Sequence, residues 1–237
     1  DVNGDGLEDI FIGAPMGQSA QLYLQTNEER FKLSSSQPWK ADSLCEDIQS
    51  AFFDADADGD LDLYVVSGSN EPHASPAEMQ DRLYTNDGKG NFTKTQNSIP
   101  AISTSKSCVA IADYNKDGKP DIFVGGRLVN GQYGVSPESY LLKNESGNNQ
   151  IKFTNTIAAD AKAMQLAGMV TDAAWVDINK DSWPDLIVVG EWMPVKIFIN
   201  NQGKLEEKTN DFGLTNTGGL WTRVFADDYD KDGDTDF

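Results

Sequence analysis

Five copies of one acidic spacing run along the chain and constrain its fold more strongly than any other feature. The copies, called loops 1 to 5 below, are DVNGDGLED from Asp1, DADADGDLD from Asp54, DYNKDGKPD from Asp113, DINKDSWPD from Asp177 and DYDKDGDTD from Asp228. Each has Asp at its first, fifth and ninth places and Asp or Asn at its third, and successive copies begin 53, 59, 64 and 51 residues apart. A merely acidic, solvated surface would not keep this register five times, so we interpret the copies as structural repeats.

The spacing of the carboxylates suits calcium coordination. Close carboxylates repel each other by roughly 1–4 kcal/mol per pair near a protein surface, so a cation is needed to hold them together. Calcium takes about six to eight oxygen ligands, and a short loop offers side chains at places one, three and five and a carbonyl at place seven. Glycine at the sixth place of four copies allows a sharp turn with positive φ. Because the donors are all oxygen, we predict calcium rather than zinc or copper, at up to five sites.

The predicted ligands occupy places one, three, five, seven and nine of every copy. They are Asp1, Asn3, Asp5, Leu7 and Asp9 in loop 1, Asp54, Asp56, Asp58, Asp60 and Asp62 in loop 2, and Asp113, Asn115, Asp117, Lys119 and Asp121 in loop 3. Loop 4 supplies Asp177, Asn179, Asp181, Trp183 and Asp185, and loop 5 supplies Asp228, Asp230, Asp232, Asp234 and Asp236. Among the interior loops, we expect loop 2 to bind most tightly and loop 4 most weakly, because Ser182 replaces the sixth-place glycine there.

The flanks of the loops predict strands, which argues against an EF-hand. An EF-hand loop lies between helices and ends in Glu at its twelfth place. Here the twelfth places are Ile12, Val65, Val124 and Val188, and the segments CVAIAD, DIFVGG, AAWVDI and DLIVVG are β-branched and aromatic. The intervals of 51 to 64 residues also exclude acidic repeats placed end to end.

Each interval between loops has room for four strands. In the fourth repeat these are DAAWVDI, DLIVVGEW, VKIFINN and KLEEKTN, with turn residues where hairpins need them. Four-stranded units at this period predict an all-β fold, a β-propeller whose blades carry calcium loops. The repeats begin near residues 1, 54, 113, 177 and 228, and we expect residues 1–237 to be one propeller fragment of about four blades, truncated at both ends.

The charge of the chain agrees with a calcium protein. The 38 acidic residues against 19 basic ones give a formal charge of −19, and calcium ligands account for much of the excess. A nucleic-acid partner, which needs a basic surface, is not expected, and no run is long enough to be a membrane span. Calcium loops of this kind favour a location outside the cytosol. Cys108 lies in a predicted strand, where we expect a buried thiol, and pairing with Cys45 stays open.

These residues carry a family resemblance over nearly the whole chain. DVNGDGLEDIFIGAP resembles the FG-GAP repeat of integrin α-chain propellers. The segments QDRLYTNDGKGNF, GGRLVNGQYGVSPESYLLKNE and GLWTRVFADDYDKDGD are more similar to bacterial VCBS/FG-GAP-like repeat proteins, often associated with an ASPIC/UnbV domain. The resemblance implies a seven-bladed type of propeller within a larger secreted, cell-surface or periplasmic protein.

Blade geometry predicts where a ligand would bind. The acidic loops and the short hairpin turns should share one face, and the long connections SGSNEPHASPAEMQD and GGRLVNGQYGVSPES should lie on the other. Binding residues concentrate on loops held by a rigid scaffold. The candidates there are Arg82, Arg127, Tyr133, Trp192, Trp221 and Arg223, with inter-blade packing and rim ion pairs as the alternative.

Catalytic motifs are not apparent in the sequence. It has no G-x-S-x-G elbow, Cys–His pairing or phosphate loop, and the single histidine, His73, is expected in an exposed loop. We therefore expect a non-catalytic scaffold or binding module for an unidentified protein or glycan. The alternatives are the propeller of a calcium-dependent polysaccharide lyase-like enzyme, which would need a basic residue beside a calcium in an open cleft, and structural reinforcement alone.

Overall fold

The computed structural model describes residues 1–71, 74–147, 150–233 and 235–237, and folds them mainly into four antiparallel sheets. The first sheet contains β1 (Ile10–Ile12), β2 (Gln21–Thr26) and β3 (Arg30–Leu33). The second contains β4 (Asp47–Phe53), β5 (Asp62–Ser67), β6 (Arg82–Asn86) and β7 (Phe92–Lys94). The third contains β8 (Ser105–Ala112), β9 (Asp121–Leu128), β10 (Tyr140–Asn144) and β11 (Phe153–Asn155). The fourth contains β12 (Met169–Val176), β13 (Asp185–Met193), β14 (Lys196–Asn200) and β15 (Leu205–Glu207), with β16 (Gly219–Leu220) paired to β13.

Three short helical segments lie in the connections between sheets. They are the 3₁₀ turns Pro38–Asp42 and Lys162–Met164 and the one-turn helix α1 (Ile157–Asp160). Both cysteines are buried and unpaired, as Cys108 was expected to be. Within the described ranges, the chain contains no helix with the length and apolar character needed to cross a membrane.

Loops 2, 3 and 4 join the first and second strands of their sheets, whereas loop 1 precedes β1 and loop 5 follows β16. Loop 3, for example, follows β8 and ends at Asp121, where β9 begins. The second strands are buried on both faces, and Asp121 through Gly126 of β9 are all buried. A strand buried on both faces must lie between two neighbours, which explains why these segments are continuous apolar runs rather than alternating ones.

The hydrophobic core lies between successive sheets. Phe53 and Tyr64 of the second sheet pack with Ile122 and Phe153 of the third, and the rings of Phe53 and Phe153 are 6.3 Å apart at 77°. A similar cluster joins the third sheet to the fourth, and Trp39 lies in the cluster between the first and second. Successive sheets thus bury apolar surface against each other in chain order, as blades of a propeller do.

The predicted four-stranded repeat is confirmed in the second, third and fourth sheets, and the arrangement is consistent with a propeller-like fold. Closure of the ring and the number of blades stay predictions. One loop prediction was too long, because GGRL at the start of GGRLVNGQYGVSPES belongs to β9 and the connection begins after Leu128. His73 lies outside the described residues.

Candidate metal centre and ligand face

A hydrogen bond from the sixth-place amide to the first-place carboxylate closes every acidic loop. In loop 3, Gly118 N lies 2.8 Å from Asp113 Oδ2, and Asp117 N lies 3.0 Å from Oδ1 of the same aspartate. The corresponding sixth-place bonds are 2.7 Å at Gly6, 3.1 Å at Gly59, 2.7 Å at Ser182 and 3.1 Å at Gly233. The sixth residue has φ between 70° and 95° in all five loops, so the predicted turn is confirmed. Only Ser182 carries a side chain there, at φ 70°.

The fifth-place carboxylate orients the next part of the loop, because it accepts a hydrogen bond from the seventh-place backbone amide. This bond is 2.9 Å from Leu7 to Asp5, 3.0 Å from Asp60 to Asp58, 3.2 Å from Lys119 to Asp117 and 2.8 Å from Trp183 to Asp181. In loop 5 the predicted seventh-place ligand, Asp234, lies outside the described residues. The loops therefore share one backbone conformation even where their side chains differ.

Loop 2 brings three carboxylates together in a way that fits a cation. Asp54, Asp56 and Asp58 each place one oxygen within 4.8 Å of the others. Asp56 Oδ1 is buried and has no hydrogen-bond partner among the described residues. Burial, followed by the charge of Asp58, raises the pKa of Asp56. An orphaned acceptor beside two like charges is costly unless an ion satisfies it, so these residues could hold calcium.

Loop 5 also brings three carboxylates together, but from its first, third and ninth places rather than its first, third and fifth. Asp228, Asp230 and Asp236 place oxygens within 4.8 Å of one another, and Asp228 Oδ1 is buried with no partner in the described part of the chain. Asp232 lies between them in sequence, and its amide donates to Asp230 Oδ1 at 3.2 Å. Loops 2 and 5 are the two with Asp rather than Asn at the third place.

Asparagine at the third place changes the interior of loops 1, 3 and 4. Its amide nitrogen donates to a carboxylate of the same loop, from Asn3 to Asp5 at 3.1 Å, from Asn179 to Asp181 at 2.9 Å and from Asn115 to Asp121 at 2.9 Å. The amide oxygen of the same asparagine accepts the fifth-place backbone amide, at 3.1, 3.0 and 3.0 Å in loops 1, 3 and 4. The sequence predicts a ligand at this place in every loop and ranks loop 2 first for its four ligand aspartates, and the structure shows that the asparagines make contacts of their own within the loop.

The ninth-place aspartates of loops 2, 3 and 4 are buried and connect each of these loops to its sheet. Asp62 accepts the amide of Ala55 through Oδ2 and the amide of Asn86 through Oδ1, both at 2.9 Å. Asp185 repeats the pair with Ile178 and Asn200 at 3.0 and 2.7 Å. Burial raises the pKa of Asp62 to about 6, and also raises the pKa of Asp185. Besides being a candidate ligand, the ninth aspartate therefore fixes the loop.

Sequence reasoning missed an asparagine at the end of the third strand of each four-stranded sheet. The three residues are Asn86, Asn144 and Asn200. Each Nδ2 donates to its own loop, at the carbonyls of Leu61, Pro120 and Pro184, and to the preceding loop, at those of Val2, Ala55 and Tyr114. The bonds to the preceding loop are 2.7, 3.0 and 2.8 Å long. The signal available in the sequence was the Asn shared by YTND, LKNE and FINN.

A cluster of four side chains lies on the face opposite the acidic loops and is called the aromatic cluster below. It consists of Arg127, Tyr133, Glu191 and Trp192. Trp192 lies seven residues beyond Asp185 on β13, or about 20 Å from the acidic loop at the rise of a strand. Its Nε1 donates to Tyr133 Oη at 3.0 Å, and Tyr133 donates to Glu191 Oε2 at 2.9 Å. Arg127 Nη2 donates to Glu191 Oε1 at 2.5 Å. Glu191 was not predicted. It accepts hydrogen bonds from Arg127 and Tyr133, and Tyr133 in turn accepts the bond from Trp192.

The remaining ligand candidates lie elsewhere. Arg82 is a correction: it is only 3% exposed, because its guanidinium is paired with Asp47 at 2.5 Å and is therefore held inside the protein. Arg223 pairs with Asp172 at 3.6 Å. Trp221 follows β16 and donates Nε1 to the carbonyl of Thr217 at 2.8 Å. Arg82 therefore forms a structural ion pair, which is the alternative to ligand binding that the sequence analysis gives.

Comparison with known proteins gives one family. A search of curated proteins finds no significant match. A family model described as FG-GAP-like repeat matches residues 1–65, 54–124 and 177–237, which together make up well over half of the chain. The three matches begin at the first-place aspartates of loops 1, 2 and 4. The chain belongs to the FG-GAP-like repeat family.

Proposed function

We propose that the protein is a non-catalytic, calcium-stabilised scaffold that binds an extracellular ligand on the face opposite its acidic loops. The observation that carries the calcium part is the orphaned Asp56 Oδ1 among the three converging carboxylates of loop 2. A buried acceptor that nothing satisfies costs free energy, and a divalent cation both satisfies it and removes the repulsion.

Calcium in these loops would act on the fold rather than on a reaction. Loops 2, 3 and 4 lie at junctions of two strands, and Asn86, Asn144 and Asn200 tie each of them to the preceding loop. An ion that fixes one loop would therefore also fix the contact between sheets. This is the arrangement expected of a scaffold that depends on calcium for its rigidity.

The aromatic cluster supports a binding role for the opposite face. Tyr133 and Trp192 are 66% and 68% exposed, and both are held by side-chain hydrogen bonds. Exposed aromatic residues that are already fixed lose little conformational entropy on binding, which makes them effective contact residues. Arg127, Glu191 and Trp192 lie near the ends of second strands, and Tyr133 lies in the connection that follows β9.

An extracytoplasmic location completes the proposal. FG-GAP-like repeats are typical of extracellular proteins, where calcium is plentiful. The seven-bladed ring and the association with ASPIC/UnbV-containing proteins remain predictions that follow from the resemblance.

Calcium titration by isothermal calorimetry tests the proposal. We expect the wild-type protein to bind calcium and Asp56→Asn to bind it more weakly at loop 2, because a neutral amide replaces one of three charged ligands. The charge-matched control is Asp211→Asn, an exposed aspartate outside the loops, which should bind as the wild type does. In chelator, Asp56→Asn should melt above the wild type, because one of three repelling charges is gone. Unchanged calcium binding by Asp56→Asn would contradict the assignment of loop 2.

A further inference from the structure

Trp192 occupies a backbone position that a large side chain rarely adopts. Its φ is +58°, in the left-handed region, where a bulky residue is an outlier. It is the extra residue between Glu191 and Met193, at which the pairing of β13 with β16 shifts in register. Glycine is the usual residue in this conformation of a bulge, so the tryptophan is held there against its own preference.

Burial does not compensate for this strain. The Trp192 side chain is 68% exposed, so most of its apolar surface stays in water. A bulge at the end of a strand re-aims one side chain, and here it turns the indole outward. Backbone strain combined with exposure of a large aromatic ring is typical of a functional site rather than of a packing solution.

Hydrogen bonds fix the edges of both rings and leave their surfaces exposed. Trp192 Nε1 donates to Tyr133 Oη, and Tyr133 in turn donates to Glu191. Glu191 also accepts from Arg127, whose side chain remains 41% exposed. The result is two fixed aromatic rings beside one carboxylate and one guanidinium, with acceptors and donors next to apolar ring surface.

We propose that Tyr133 and Trp192 form a stacking site for a neutral oligosaccharide, an inference that rests on the proposed function as a binding module. A pyranose ring has one face of C–H groups, which suits the electron-rich face of an aromatic ring. Its edge carries hydroxyls that both donate and accept hydrogen bonds, which matches Arg127 beside Glu191. The same two chemical features meet in the aromatic cluster.

Charge favours a neutral saccharide over an acidic one. The chain has a formal charge of −19, and Glu191 lies at the centre of the aromatic cluster and already neutralises Arg127. A polyanionic glycan would meet repulsion from the protein as a whole and from this carboxylate. A neutral chain of sugars meets neither.

Two glycine substitutions test the site. Trp192→Gly removes the ring and at the same time relieves the backbone, so the variant should melt above the wild type but bind at least about tenfold more weakly, as expected for loss of an aromatic anchor. Glu29→Gly is the matched control, because Glu29 has the same φ of 58° in the hairpin turn between β2 and β3. It should gain similar stability and keep full binding. Tyr133→Ala, which leaves β13 unchanged, should weaken binding as Trp192→Gly does.

The probes are soluble neutral fragments of β-glucan, α-glucan, xylan and mannan, with polygalacturonate fragments and a peptide library as competing classes. Binding is measured by calorimetry on the calcium-loaded protein. Binding of a neutral fragment that is lost in Trp192→Gly and kept in Glu29→Gly supports the inference. Binding of none of the neutral fragments, binding that Trp192→Gly retains, or selective binding of the acidic fragments or peptides overturns it. The melting response to calcium, read in the same samples, tests the proposed function separately.

Discussion

Asn144 in the third sheet donates a 3.0 Å hydrogen bond from its side-chain amide to the main-chain carbonyl of Ala55 in loop 2, which belongs to the second sheet. The same Nδ2 donates to the carbonyl of Pro120 in loop 3 at 3.1 Å, and the backbone amide of Asn144 donates to Asp121. One buried asparagine thereby ties the acidic loops of two neighbouring sheets. Since neither loop can rearrange without breaking this tie, we expect their stabilities to be coupled.

Removal of this tie should destabilise the protein measurably. Asn144→Ala leaves the carbonyls of Ala55 and Pro120 without their donor, and we expect a loss of about 1–3 kcal/mol in the free energy of unfolding. The control is Asn91→Ala, whose exposed amide bonds Asp87 at 2.9 Å and should change stability by less than about 0.5 kcal/mol. Urea unfolding in saturating calcium measures both. Equal effects of the two substitutions would show that the bond between loops contributes nothing specific.

The sixth place of the loops offers a reciprocal pair of substitutions. Ser182 adopts φ 70° in loop 4, and Gly118 adopts φ 87° in loop 3. Ser182→Gly should stabilise the chain and strengthen its calcium site by about 1 kcal/mol, and Gly118→Ser should weaken loop 3 by a similar amount, because left-handed φ costs about this much for a residue with a side chain. Calcium titration of both variants decides the point. If both change affinity in the same direction, the sixth-place conformation is not what controls binding.

The calcium-free and calcium-loaded proteins should respond to pH in opposite directions. Burial raises the pKa of Asp62 to about 6 and that of Asp121 to about 7, from an ordinary value of 3.8. These carboxyls bind protons more tightly in the folded state, so their contribution to stability is present at low pH and is lost as pH rises through the raised values. In chelator, the protein should therefore melt higher at about pH 5.5 than at about pH 7.5.

With calcium bound, protons compete with the ion for the same carboxylates, so the order should reverse. Thermal melts at the two pH values, with and without chelator, give four midpoints to compare. A chelated protein that melts higher at the more alkaline pH would contradict the raised pKa values of the ninth-place aspartates.

The sequence was sufficient to predict the loops, because spacing alone determines which side chains a short turn brings together. The closing bond from Ser182 to Asp177 at 2.7 Å is such a local contact. The tie from Asn144 to Ala55 could not be predicted, because its acceptor is a backbone carbonyl 89 positions away, whose own side chain leaves no signal.

The surroundings of the ligand candidates also depend on residues that are distant in sequence. From the sequence alone, Arg82 is expected to be an exposed cation at the end of a loop. Its partner Asp47 is 35 residues away, and only the fold places it beside the guanidinium. The sequence predicts Trp192 as a ligand candidate on the face of the long connections. Nothing in DLIVVGEW indicates that Trp192 lies in a bulge with positive φ. Contacts between strands of the same sheet decide both environments, and a single sequence does not show which strands pair.

The central claim is that calcium stabilises this fold, and the thermal midpoint in calcium compared with chelator tests it most directly. A ligand that binds only the folded state stabilises it by RT ln(1 + [L]/Kd), so the midpoint should rise with every increase in calcium concentration. Magnesium at the same concentrations is the control, because it keeps its waters and prefers a smaller octahedral site, and it should raise the midpoint far less. A midpoint that rises steadily with calcium and falls back on chelation is the predicted result. A midpoint that chelator leaves unmoved, or that magnesium raises equally, would contradict the account.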